Sequence, residues 1–150
     1  KVNYEVKNFN IDEAKEVIKS RPQNLSLNEM FLVANTYPVG SQDFIDIFET
    51  AVRLYPKDEI ANMNAAAAAL SRNDLSSAER YLGMVYSNTN LSEYNNVIGV
   101  LMLLKGEYEK GEKYLKIAAG SGLEAAGHNL EELARKRTNA AEIENKNRDK

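Results

Sequence analysis

The chain has 150 residues, 43% of them hydrophobic, with a net charge of −3 and no cysteine. That length supports one domain with its own core. The lack of thiols excludes disulfides, thiolate metal sites and cysteine nucleophiles, and the near-balanced charge gives no overall pull toward nucleic acid or an anionic membrane. No apolar run approaches the roughly 20 residues of a membrane-crossing helix; the longest is Ala65 to Leu70.

The chain opens at Lys1 without a methionine, as expected of a processed or excised segment. Val2, Tyr4 and Val6 alternate with Lys1, Asn3, Glu5 and Lys7, which is strand periodicity. Residues 1–9 therefore read as an extended segment, either the end of an upstream domain or an arm docked on the helices. From Asn10 onward the signals are helical. Asn10–Glu13, Ser26–Glu29 and Ser121–Glu124 have capping-box spacing. Ser41, Asp58, Asp74 and Ser92 are further N-cap residues, while Pro22, Pro38, Gly40, Pro56, Gly106 and Gly120 mark stops. The predicted helices are 11–20, 26–37, 42–54, 58–72, 75–86, 92–105, 108–119 and 123–136. Residues 10–136 form the helical domain. Residues 137–150 are a polar tail that buries little, a frayed helix or unfolded chain.

A pattern recurs along these helices. Ala66, Asn73, Asp74, Leu75, Ala78, Leu82 and Val85 reappear 33 positions on as Gly99, Gly106, Glu107, Tyr108, Gly111, Leu115 and Ala118. Repetition at this period marks stacked helical hairpins. Ala66 with Ala78, and Gly99 with Gly111, are spaced to meet where paired helices cross, and only small residues permit a close crossing. No single hairpin buries its apolar face alone, so stacking supplies the stability.

These residues resemble the tetratricopeptide repeat: Ile98-Gly99, the turn Lys105 to Tyr108, then Gly111, Leu115 and Ala118, preceded by Asn62, Ala65-Ala66, Arg72 to Leu75, Ala78, Leu82 and Val85. A weaker copy runs through Phe31-Leu32, Phe44, Phe48, Ala51 and Pro56, with Phe44 where the pattern has Ala. Asn28, Asn62 and Asn95 replace the opening Trp or Leu. The resemblance implies an all-α fold, a right-handed α-α superhelix of about three helix pairs plus a capping helix. A narrower resemblance, carried by Tyr4 to Asn10, Leu27 to Met30, Val33 to Pro38 and Ala61 to Ala69, is to the C-terminal helical module of certain cell-envelope proteins of Gram-negative gut anaerobes, which carry outer-membrane-protein-A-like or fimbria-associated regions upstream. It implies a periplasmic, envelope-associated location; a cytoplasmic one is the alternative.

Catalytic chemistry is not legible. The lone histidine, His128, lacks a sequence partner for triad or metal chemistry and reads as a surface imidazole. Gly120-Ser-Gly122 is a helix break rather than a phosphate loop, since no strand precedes it and no Lys-Ser/Thr follows. The expectation is a non-catalytic protein with no cofactor, no metal, no nucleic-acid partner and no membrane insertion. The tetratricopeptide resemblance implies a concave face lined by Val33, Tyr37, Met63, Asn64, Ala67, Leu70, Asn96, Val100 and Leu103. An apolar trough with amides that donate and accept suits a protein or peptide partner. Glu29, Met63, Glu93 and Val97 stand where carboxylate-clamp relatives carry cations, which argues against capture of a chain terminus. The expected role is a protein-interaction scaffold in a larger cell-envelope protein; the alternative is a structural spacer with no groove ligand.

Overall fold

A computed structural model describes residues 10–148, and the strand expected over Val2 to Val6 lies outside them. The described residues are all-α. The helices are α1 (Ile11–Ser20), α2 (Leu27–Ala34), α3 (Gln42–Leu54), α4 (Glu59–Ser71), α5 (Leu75–Leu82), α6 (Ser92–Leu104), α7 (Tyr108–Gly120) and α8 (Glu124–Arg148), with a 3-10 turn at Pro22–Asn24.

Helix starts follow cap chemistry. Ser26 and Glu29 form a complete capping box: the Ser26 hydroxyl accepts from the Glu29 amide (3.2 Å) and the Ser26 amide donates to the Glu29 carboxylate (2.8 Å). Asn10, Ser41, Asp58 and Asp74 cap α1, α3, α4 and α5 with their side chains. Two expected caps are absent. Leu91 precedes α6, so Ser92 is already its first helical residue. The Ser121 hydroxyl turns back to donate to the Ile117 carbonyl (3.2 Å), so it closes α7 rather than opening α8.

Three ends also differ from expectation. α2 stops at Ala34, because the Thr36 hydroxyl donates to the Val33 carbonyl (2.7 Å) and Pro38 disfavours helical backbone at Tyr37. α5 stops at Leu82, where the Met84 and Val85 amides turn to the carbonyls three residues back, Tyr81 and Leu82 (both 3.0 Å), and beyond it the amides of Tyr86, Ser87 and Asn88 donate to the Glu59 carboxylate. α8 continues through the tail to Arg148, with its residues beyond Leu133 exposed apart from half-buried Arg137. That stretch is rich in Ala, Glu, Lys and Arg, and it extends a helix whose nucleus is already packed.

The repeat is visible in backbone geometry and covers three helix pairs, α2–α3, α4–α5 and α6–α7. The second helices begin at Gln42, Leu75 and Tyr108, evenly spaced at the interval of the sequence repeat. Two positions before each start, the backbone is left-handed: Gly40 (φ 89°), Asn73 (61°) and Gly106 (82°). Glycine and asparagine tolerate that conformation best. The ends of α4 and α6 carry the same pair of bonds, Asp74 N to Ala69 O (2.9 Å) with Asn73 N to Leu70 O (2.9 Å), and Glu107 N to Met102 O (2.8 Å) with Gly106 N to Leu103 O (3.0 Å). Two buried amides repeat as well. Asn62 Nδ2 donates to the carbonyls of Pro56 (3.0 Å) and Asp58 (2.8 Å), and Asn95 Nδ2, one repeat further on, to those of Thr89 (3.3 Å) and Leu91 (3.0 Å). Each amide ties a first helix to the loop that feeds it; the Asp58 and Leu91 carbonyls also accept from the Asn62 and Asn95 backbone amides, but leaving that of Pro56 or Thr89 unpaired would cost about 1–3 kcal/mol.

This geometry corrects the register of the first pair. The amides capped by Ser41 and Asp74 are those of Phe44 and Ser77. Ile45, not Phe44, therefore stands where Ala78 and Gly111 stand, and Val33 stands where Ala66 and Gly99 stand. The crossing residues are thus Val33 with Ile45, Ala66 with Ala78, and Gly99 with Gly111, all buried. At the third crossing a Cβ built on Gly99 would lie 3.2 Å from the Gly111 carbonyl oxygen, and one built on Gly111 3.0 Å from that of Gly99. The backbones therefore meet directly. Contact between paired helices is sparse in pair one, greater in pair two and most extensive in pair three.

The core is continuous. One cluster joins α1 to α4 around Met30, Val33, Phe44, Ile45 and Phe48; a second joins α4 to α6 around Met63, Ala66, Leu82 and Leu101; a third joins α6, α7 and α8 around Leu115, Ala118 and Ala126. Tyr81 packs on the first two and Val100 on the last two. First helices also touch one another, α4 on α6 and α6 on α8. Ion pairs span consecutive pairs. Arg72 and Lys105, at the ends of α4 and α6, reach Glu49 (3.2 Å) and Glu79 (3.0 Å) on the preceding second helices, and Arg137 of α8 reaches Glu112 of α7 (3.1 Å). By this criterion α8 occupies the place of a fourth first helix. Its residue at the crossing position, Glu132, is exposed and paired with Arg135, so nothing small awaits a partner helix there.

Candidate functional site

Two surfaces hold the residues that could meet a partner. The first is the face formed by the first helices. Of its nine expected residues, Val33, Met63 and Leu70 are buried, and Tyr37, Asn64, Ala67, Asn96, Val100 and Leu103 are half-buried. Val33 is a correction. Its place at the α2–α3 crossing turns it into the core with no exposed surface, and Ala34, also fully buried, aligns with Ala67 and Val100 instead. Met63 and Leu70 pack in the cluster between α4 and α6. Asn64, Ala67, Asn96, Val100 and Leu103 lie along α4 and α6, whereas Tyr37 sits in the turn after α2 and lines a hollow with Ile18 and Lys19 of α1 and Asp43, Asp46, Ile47 and Thr50 of α3; their polar groups are partly engaged. Asn64 Nδ2 donates to the Ile60 carbonyl (3.0 Å), and Asn96 Oδ1 accepts from Asn129 Nδ2 of α8 (2.9 Å). Val100 and Leu103 lie against the cluster that includes Leu123 and Leu130 around α8, and Lys15 Nζ sits 5.2 Å from the centre of the Tyr37 ring.

The second surface was not foreseen. An open cleft of about 740 Å³ lies between α3 and α5, with Asn62 of α4 also in its lining. Val52, Pro56, Tyr81 and Met84 supply its apolar part; Asp46, Glu49, Arg53 and Arg80 supply its charges. The Arg80 guanidinium lies 5.0 Å from the centre of the Tyr81 ring, an arrangement that holds a cation by the ring's negative face. Glu49 is occupied by Arg72, and Asp46 accepts from the Gln42 amide (2.7 Å). The next pair has a smaller hollow of about 430 Å³ lined by Met102, Lys105, Glu107, Lys110, Lys113 and Tyr114. Lys113-Tyr114 falls one repeat after Arg80-Tyr81, and this recurring basic–tyrosine step was the one sequence signal for this face.

The loop bordering the cleft is tightly held. The Glu59 carboxylate accepts from the amides of Tyr86 (3.0 Å), Ser87 (2.9 Å) and Asn88 (3.0 Å) and from the Ser87 hydroxyl (2.5 Å). Hydrogen bonding, led by the Ser87 side chain, holds its pKa down at about 2 against some opposing desolvation. Tyr86, three-quarters exposed, therefore stands on a fixed backbone beside Met84, itself 38% exposed.

His128 is exposed at 3.9 Å from the equally exposed Glu131 carboxylate, with no nucleophile beside it. Among the described residues no group of three or more His, Asp or Glu side chains is placed to hold a metal ion, and no helix is long and apolar enough to cross a membrane. No protein-family model matches the chain, and no curated protein matches it.

Proposed function

We propose that this chain is a tetratricopeptide-like scaffold, a right-handed superhelix of three helix pairs and a capping helix that holds a protein or peptide partner without catalysis, as part of a larger cell-envelope protein in the periplasm. The observation that carries the reading is the single interval shared by the left-handed turns, the second-helix starts and the buried Asn62 and Asn95 bridges. Stacked hairpins of this kind exist to present an extended surface. The half-buried residues Asn64, Ala67 and Asn96 give that surface its contact groups.

The spacer reading has its own support: α8 lies on the last third of the same face, and Asn129 already holds Asn96. One experiment separates the two. A photo-crosslinking residue at Asn64 captures the partner in cells, and binding of that purified partner is compared between wild type and Ala67→Glu. The scaffold reading expects Ala67→Glu to lose binding while keeping its helical circular dichroism. Equal binding by both proteins, or no crosslinked species, supports the spacer.

A further inference from the structure

Within the lining of the 740 Å³ cleft, the ion pairs leave two cations against one acid. Glu49 and Glu79, the acids that α3 and α5 direct toward neighbouring pairs, are neutralised by Arg72 and Lys105. Arg53 of α3, Arg80 of α5 and Lys113 of α7 make no ion pair among the described residues. Arg53 and Arg80 come from the two walls of the 740 Å³ cleft, and Lys113 lines the hollow of the next pair. Val52, Pro56 and Met84 line the same cleft. Asp46, on the rim shared with a neighbouring hollow, is the acid of the cleft lining without a cation; Asp43 of that hollow and Glu109 of α7 are also unpaired among the described residues.

We propose that this cleft is a docking site for an acidic linear peptide. Carboxylate side chains would engage Arg53 and Arg80, an intervening apolar side chain would seat on Val52, Pro56 and Met84, and the peptide would run on toward Lys113. The inference rests on the scaffold reading and adds a surface and a ligand chemistry to it. Arginine forks bind carboxylates with two parallel hydrogen bonds, and a guanidinium already stacked on Tyr81 loses little freedom in doing so. The volume suits several side chains. The apolar floor favours a peptide over a nucleic-acid backbone, whose phosphates offer nothing to fill it. The cleft persists because α3 and α5 are not extensively packed on each other, and Glu59 fixes the Met84–Asn88 edge.

The test is fluorescence anisotropy on the full chain with three labelled peptides of one length, alternating leucine with glutamate, glutamine or lysine. The glutamate peptide is expected to bind best, to weaken with added salt, and to lose about tenfold or more in affinity to Arg53→Gln/Arg80→Gln. Asp46→Asn is expected to strengthen it. Both arginines are exposed, so the double variant keeps its fold, checked by its thermal melt. Equal binding of the glutamate and glutamine peptides, unchanged affinity in the arginine variant, or equal competition by a single-stranded oligonucleotide would overturn the site. Loss of the crosslinked partner by Ala67→Glu alongside any of those results leaves the scaffold standing and removes only this cleft.

Discussion

At the crossing of the first helix pair stand Val33 and Ile45; at that of the third stand Gly99 and Gly111. In pair one the gap between helices is filled by large side chains, with the Phe48 ring 5.6 Å from that of Phe31 and 4.7 Å from that of Phe44. In pair three the backbones touch, and Leu115 and Leu103 close over the glycines. Pair two, with alanine on both sides, is intermediate in crossing size and in the extent of its contact. One backbone plan thus tolerates a graded exchange of side-chain volume for backbone proximity, because close packing can be reached by either route. The sparsest contact within a pair falls beside the large cleft, which opens on α3 of pair one.

The contrast predicts opposite sensitivities. In pair one, deletion should hurt most: Phe48→Ala is expected to cost about 3–5 kcal/mol, measured by urea unfolding, because Phe48 is 2% exposed and holds two rings in place. A loss below about 1 kcal/mol would mean that pair one collapses to fill the gap, and the contrast would fail. In pair three, insertion should hurt: Gly99→Leu is expected to cost about 1–3 kcal/mol or more, since even its Cβ would lie 2.7 Å from Leu115 Cγ. An unchanged thermal midpoint would show that α6 and α7 part freely.

The smallest effect concerns the joint between pairs two and three. Glu59 has its pKa lowered from 4.5 to about 2 in the folded protein. The unfolded chain binds the proton more readily, so this group's stabilisation is complete above about pH 4.5 and is lost as pH falls through about 2. Glu59→Gln should remove that dependence, read as a flattened thermal midpoint across acid pH, while leaving pair one as it was. An unchanged slope would place the acid sensitivity elsewhere.

Much of this architecture was legible because its signals are local. Caps at Ser26, Ser41, Asp58 and Asp74, and stops at Pro22, Pro56 and Gly106, act within a few residues, and five of the eight helices lie within one residue of their expected bounds at both ends. The register of pair one was missed because Phe44 and Phe48 match the apolar spacing as well as Ile45 does; only the left-handed Gly40 and the Ser41 cap decide it. The loop after α5 is held by Glu59, 27 residues before Tyr86, which no local pattern reveals. The cleft was illegible for the same reason, since it joins residues from three helices and is defined by space they leave unfilled. Of the residues expected on the first-helix face, Val33, Met63 and Leu70 are buried, Val33 because a shift of one residue turns a surface position into a core one.

Residues 59–91 carry both halves of the Glu59 clasp and a full hairpin, and end on Leu91, which precedes α6. Excising that cassette would join Asp58 to Ser92. Asp58 would then precede α6 as it now precedes α4, and Asn95 would find the carbonyls of Pro56 and Asp58 at the separations where Asn62 finds them today. At the level of the cap and the buried amide, the chain is therefore already suited to loss or gain of a whole hairpin.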